Sequence, residues 1–128
     1  MSEARRQRGA AARKAGRKAE WTAALWLMLR GYRILGFRLK TRQGEIDLLA
    51  MKKGVLAVVE VKRRGTLEAA LECVGAEQRE RLRRAGQGLA SRRPGLKDLA
   101  VRLDLVALAP GRVPVHIMDA WQDDVSGP

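Results

Sequence analysis

The stretch Gly44–Lys62, GEIDLLAMKKGVLAVVEVK, decides the fold. Two runs of strand formers, Gly44–Met51 and Val55–Lys62, flank Lys53-Gly54, a tight-turn pair. Leu48-Leu49-Ala50 and Leu56-Ala57-Val58-Val59 are apolar on both faces, the pattern of central strands covered from both sides. Yet Glu45, Asp47, Glu60 and Lys62 stand in these same strands. With Lys53-Gly54 as a two-residue loop, Lys52 faces Val55, Asp47 faces Glu60 and Glu45 faces Lys62. A four-residue loop with Met51 facing Leu56 gives the same register. Facing residues keep their Cβ atoms roughly 4.5–5.5 Å apart on one side of the sheet. Four charges then cluster there, and two opposed carboxylates repel unless something neutralises them. A divalent cation does so, and hard oxygen ligands suit Mg²⁺ or Mn²⁺. The plain alternative is an ordinary Glu45–Lys62 ion pair, with Asp47 and Glu60 ending in solvent at the rim.

Outward from the hairpin, the pattern predicts a helix from about Lys14 to Arg30, closed by Gly31. Arg33–Lys40 alternates weakly and reads as a first strand. Thr66 to Arg92 is helical, with Leu67, Ala70, Leu71 and Val74 on one face and a break at Gly75. Strands follow at Val101–Leu108 and Val113–Met118, separated by Pro110-Gly111. The expected order is α-β-β-β-α-β-β, an α/β fold with a mixed sheet flanked by helices. Residues 1–14 are Arg/Ala-rich and read as a basic flexible tail or a frayed helix, 15–122 as a single domain, and 123–128 as a flexible C-terminal tail. Trp21, Trp26 and Trp121 lie in apolar patterns and are expected in the core, as is Cys73, a small residue on an apolar face.

Composition narrows the chemistry. Net charge is +12, and residues 1–44 hold 12 Lys/Arg against 2 Asp/Glu. Such a basic front suits a polyanion, nucleic acid before an acidic membrane surface, though it also serves as a solubilising tail. His116 is the only histidine, which excludes His-cluster zinc sites and mechanisms needing a second histidine. Cys73 is the only cysteine, so no intrachain disulfide forms and a reducing compartment is expected. The longest apolar run, Ala23–Leu29, is far too short to span a bilayer. Glu20 before it, Arg30 after it and the lack of a small-residue cleavage site argue against a secretion signal. The expectation is a cytoplasmic protein with no membrane partner.

Asp47 followed by Glu60-Val61-Lys62 on the next strand resembles the D…ExK signature of the restriction-endonuclease-like, PD-(D/E)XK, nuclease superfamily. Gly31-Tyr32-Arg33-Ile34-Leu35, Gly44-Glu45-Ile46-Asp47-Leu48, Val59-Glu60-Val61-Lys62 with Arg64, and Arg102-Leu103-Asp104-Leu105-Val106 together resemble the YraN family of small bacterial proteins. That family is similar to Holliday-junction resolvases. The resemblance covers about residues 15–122 and implies a restriction-endonuclease-like core. It implies that Asp47, Glu60 and the Val61 carbonyl ligate the metal, that Lys62 orients or activates the attacking water, and that Glu20 closes the site from the first helix. Independently, Glu20 shares a helical arc with Ala23, Ala24 and Leu27, so an acid on that stripe needs a partner or an edge position. Gln78 stands where the resemblance implies lysine in many relatives, and glutamine also occurs there in related nucleases. Arg38 stands where it implies asparagine, and Ile46 where the wider signature has proline.

The implied activity is metal-dependent phosphodiester hydrolysis on nucleic acid, DNA before RNA, with branched, structured and linear substrates all left open. Arg13, Lys14, Arg17 and Lys18 before Glu20, Arg38, Lys40 and Arg42 before Asp47, and Arg64 after Lys62 are the candidate nucleic-acid contacts. With only five aromatic residues and no base-reading element, recognition by shape or backbone is expected. A homodimer is expected by analogy with resolvase-like enzymes alone. The alternatives are a non-catalytic nucleic-acid-binding module that keeps the fold, and an interaction protein whose basic front docks to an acidic partner. Arg102 and Asp104, two apart on one strand, read as a structural pair.

Overall fold

Lys53 and Gly54 both adopt positive φ, 44° and 80°, the two left-handed positions of a type I′ hairpin turn. This turn sets the register of strands β2 (Gly44–Lys52) and β3 (Val55–Arg63). Lys52 faces Val55, and the antiparallel ladder continues to Leu48 opposite Val59, the register expected from the sequence. The computed structural model describes residues 2–125.

Before the hairpin come helix α1 (Glu3–Leu29) and strand β1 (Arg33–Thr41). After it come helices α2 (Leu67–Glu72) and α3 (Ala76–Arg92), a 3₁₀ turn at Pro94–Leu96, strands β4 (Ala100–Leu108) and β5 (Val115–Ile117), and a 3₁₀ turn at Gln122–Val125. The five strands lie in the order β1-β2-β3-β4-β5, with β3 and β4 parallel and the other neighbours antiparallel. The mixed sheet flanked by helices is the predicted fold, and the break at Gly75 separates α2 from α3 as expected.

Each face of the sheet has its own core. Leu49, Leu56, Val58 and Leu103 pack under Leu82, Ala85 and Leu89 of α3. On the other face Leu48, Ala50, Ala57, Val59 and Val106 meet Ala23, Ala24 and Leu27 of α1. Alanines dominate the α1 stripe, which lets that helix lie close to the strands. α3 approaches closely at Gly86, where an added Cβ would stand 2.5 Å from Val58 Cγ2 and 2.9 Å from Val101 Cγ1. Alanine is the better helix former by about 1 kcal/mol, but overpacking a close-packed core costs about 1–3 kcal/mol. Gly86→Ala is therefore expected to lower the denaturation midpoint without changing its slope in urea. A raised midpoint would contradict this packing.

Several expectations need correction. α1 begins at Glu3, with Ser2 Oγ accepting from the Arg5 N–H at its N-cap, so residues 3–14 are an exposed helical extension. The Arg/Ala composition that suggested a tail consists of good helix formers. Gly31 ends the helix as predicted, its N–H donating to Met28 O and that of Tyr32 to Leu27 O. Trp21 is 55 % exposed, lying off the alanine stripe with its ring 4.8 Å from that of Phe37. Trp26 and Trp121 are half-buried, and the Trp121 Nε1–H donates to Leu71 O. Cys73 is exposed at the C-cap of α2. β5 is shorter than the predicted strand. Asp124 is held by Arg79 and Arg83 of α3, so the expected loose C-terminal segment is pinned there, while 126–128 lie outside the described residues.

Candidate active site

The sequence placed Asp47 and Glu60 opposite each other, and the strands carry that register up to Leu48 and Val59 before parting. Beyond that pair the Asp47 side chain replaces the backbone ladder, its Oδ2 accepting the Val61 N–H at 2.9 Å. The β1 side is interrupted at the same place. The ladder pairs Phe37 with Leu48 and Leu39 with Ile46, and Arg38, between them, has φ of 47°. Ile46 joins the α3-side core while Leu48 and Ala50 join the α1-side core, so alternation slips at Asp47. The acid thus sits at a kink where strands β2 and β3 separate.

A cleft of about 340 Å³ opens there, lined by Asp47, Glu60, Lys62 and Gln78 together with Glu45 and Arg81. Four of the five predicted catalytic residues therefore share one space, contributed by β2, β3 and the first turns of α3. Glu60 is buried, with Lys62 Nζ 3.2 Å from its Oε1. Burial first, and the neighbouring Asp47 charge second, push the Glu60 carboxyl from 4.5 up to about 8, against the pull of Lys62. An acid raised in the folded state binds its proton more tightly there than when unfolded. Its contribution is full below pH 4.5 and declines as pH rises through about 8. In a chelator, the protein is expected to lose stability over this window, on the order of 2 kcal/mol. Glu60→Gln should flatten the loss and unfold at a higher temperature than the parent above pH 8. Parallel pH profiles by thermal unfolding would contradict the assignment.

Glu20 is buried on the α1 stripe, as its helical position predicted, but it does not line the cleft. Arg38 Nη1 donates to its Oε1. Burial raises the Glu20 carboxyl, the Arg38 contact lowers it, and the charges of Asp47 and Glu45 raise it again, which places Glu20 within electrostatic reach of the cleft. The pairing also redirects Arg38, proposed as a phosphate contact, toward Glu20. Its left-handed backbone gives a reason for the asparagine that the resemblance implied, since asparagine tolerates that region well.

The remaining basic candidates spread around the cleft. Lys40 and Arg42 line a depression with Arg92, and Gln43 borders both this depression and the acidic cleft. Arg13, Lys14 and Arg17 are exposed along α1. Lys18 and Arg64 line two separate hollows near the C-terminal end of β3. Arg81 escaped the sequence reading. It lies three residues after Gln78 on α3, one helical turn further along the same face, and that spacing was the available signal.

The model of the family described as "Uncharacterised protein family UPF0102" matches residues 19–108, which takes in Glu20, the hairpin, Gln78 and Asp104. The chain belongs to the UPF0102 family. This is the YraN family that the hairpin residues resemble. A UPF0102 protein of Caulobacter sp. (strain K31) is 69 % identical over 114 residues, covering 89 % of this chain and 82 % of the relative. One of Caulobacter vibrioides (strain NA1000 / CB15N) is 67 % identical over 117 residues, 91 % of this chain and 94 % of the relative. The UPF0102 protein amb4503 of Paramagnetospirillum magneticum is 47 % identical over 118 residues, 89 % and 92 % of the two chains. Among the described residues of this UPF0102 chain, no helix is long and apolar enough to cross a membrane.

Proposed function

We propose that this chain is a metal-dependent endonuclease hydrolysing phosphodiester bonds, with DNA as its substrate. One observation carries the reading: Asp47, Glu60, Lys62 and Gln78 line a single cleft, with Glu60 buried beside a second carboxylate. The donor set fits Mg²⁺ or Mn²⁺. The two neighbouring carboxylates, of which Glu60 is buried, form with the Val61 carbonyl a hard-oxygen group. When bound, such a cation supplies charge neutralisation and polarisation of a phosphoryl oxygen.

The chain's own residues do the rest. In hydrolysis the water oxygen bonds to phosphorus, the P–O bond to the leaving oxygen breaks, and a proton passes to that oxygen. In this reading Lys62, whose Nζ lies 3.2 Å from Glu60, orients the water and offsets negative charge gathering on the phosphoryl group. Gln78 offers an amide that both donates and accepts. Arg81 adds a cation on the same wall. Asp47, tethered to the Val61 N–H, keeps the two strands in register at the point of divergence. The test is cleavage of branched, flapped and linear nucleic acids with Mn²⁺ or Mg²⁺ by the parent, Asp47→Ala and Lys62→Ala.

A second reading, a non-catalytic nucleic-acid-binding module, is favoured by one observation. Glu20 is engaged by Arg38 and does not line the cleft. Binding that persists without cleavage by any of the three proteins supports that reading.

A further inference from the structure

Lys62 lines the acidic cleft, whereas Arg63, the next residue of β3, lines a separate groove of about 530 Å³. Successive strand residues point to opposite faces, so the end of β3 is a ridge between the two. Lys18 of α1 and Arg112 of the β4–β5 turn complete the groove, whose lining includes Leu108 and Pro110. Its lining holds three cations and no acid. Arg112 also borders an adjoining hollow of about 290 Å³ shared with Arg64. Lys18, Arg63 and Arg112 therefore form a cationic track on the α1 side of the sheet, while Arg64 borders the adjoining hollow together with Glu68.

We propose that this track holds the phosphodiester backbone of a nucleic-acid arm leaving the acidic cleft over the end of β3. Charge complementarity selects this occupant, and Lys62 and Arg63, successive residues of β3, put the track one residue away from the cleft. A concavity between a helix and a turn suits a narrow backbone, whereas a flat bilayer surface does not reach its floor. Arg63 and Arg112 are exposed, so their side chains are free to follow a flexible backbone. The inference rests on the proposed function only for its class of ligand, and binding is measurable without catalysis.

The test is fluorescence anisotropy of labelled single-stranded and branched DNA and RNA oligonucleotides with the full chain in EDTA, across a series of KCl concentrations. Each backbone phosphate contact contributes about 0.7–0.9 to the slope of log K against log salt. Arg63→Gln/Arg112→Gln is expected to reduce that slope by about 1.5 and to weaken low-salt binding about tenfold or more. The control, Arg93→Gln/Lys97→Gln, removes the same charge just before β4, at the far end of the parallel β3–β4 pair. It should leave the slope within about 0.3 of the parent. Circular-dichroism melts confirm that both variants fold.

Equal effects of the two variants, no binding at any salt, or tighter binding of polyglutamate than of oligonucleotide at these arginines would each overturn the proposal. Cleavage is assayed separately in Mn²⁺. Cleavage without the slope difference removes the track and leaves the nuclease. A slope difference without cleavage supports the track and removes the nuclease.

Discussion

Asp104→Ala is expected to destabilise the protein by about 3–5 kcal/mol, the range for removing one partner of a buried ion pair. The Asp104 side chain is fully buried on β4, and four donors end on it. Arg102 donates from Nε to Oδ1 at 2.7 Å and from Nη2 to Oδ2 at 2.8 Å. The His116 Nε2 lies 2.8 Å from Oδ2, and the Asp119 N–H donates to Oδ1 at 3.0 Å. Arg102 Nη2 also meets the Tyr32 hydroxyl, which ties the entry to β1 into the same network. Alanine leaves an imidazole and a backbone N–H without their acceptor and the Arg102 guanidinium with only the Tyr32 hydroxyl, in a low-dielectric interior. Asparagine keeps the shape and part of the bonding, so Asp104→Asn should cost less than half as much.

The pH dependence gives a second readout. Burial alone would raise the Asp104 carboxyl, but the bonds from His116, Arg102 and the Asp119 N–H outweigh it and hold the group below its ordinary range. A depressed acid stabilises the fold above its unfolded pKa and loses that contribution as pH falls through the folded one. Part of the acid-induced loss of stability should therefore vanish in Asp104→Ala. Equilibrium urea unfolding at neutral and acidic pH measures both effects. A loss under about 1 kcal/mol would show the network to be dispensable.

The largest effect on activity is expected at the kink in β2. Asp47→Ala should lower single-turnover cleavage at least about 1,000-fold, since it removes both a candidate metal ligand and the acceptor of the Val61 N–H. Lys62→Ala should cost about 100- to 1,000-fold, the usual worth of one group that acts on developing charge. Neither loss should reflect unfolding. Lys62 is partly exposed, and removing Asp47 takes away a charge that destabilises its neighbour Glu60. Thermal melts in chelator should therefore leave both variants folded at the assay temperature. Wild-type cleavage that survives either change within about tenfold would remove that residue from the proposed mechanism.

The hairpin was legible because one turn pair sets the register of a whole ladder, and that register brought Asp47 and Glu60 together. Arg102 and Asp104 were legible as a pair because strand residues two apart share a face. His116 and Tyr32 were not, because β5 and the start of β1 reach Asp104 only through the tertiary fold. The outward position of Trp21 was hidden by the alanine stripe of α1, whose small residues carry little hydrophobic contrast. Lys18 and Arg64 were readable as cations, but the groove that Lys18 shares with Arg63 and Arg112 exists only once the β4–β5 turn packs beside α1. The partnership of Glu20 with Arg38 depended on a left-handed backbone at an arginine, which no local pattern announces.

The central claim is that Asp47 and Glu60 converge to share a divalent cation. Anomalous diffraction from a crystal soaked in Mn²⁺ tests it most directly. The account predicts a peak between the two carboxylates, next to the Val61 carbonyl, that is absent in an Asp47→Ala crystal soaked in the same way. No peak there, or an identical peak in the variant, would contradict it.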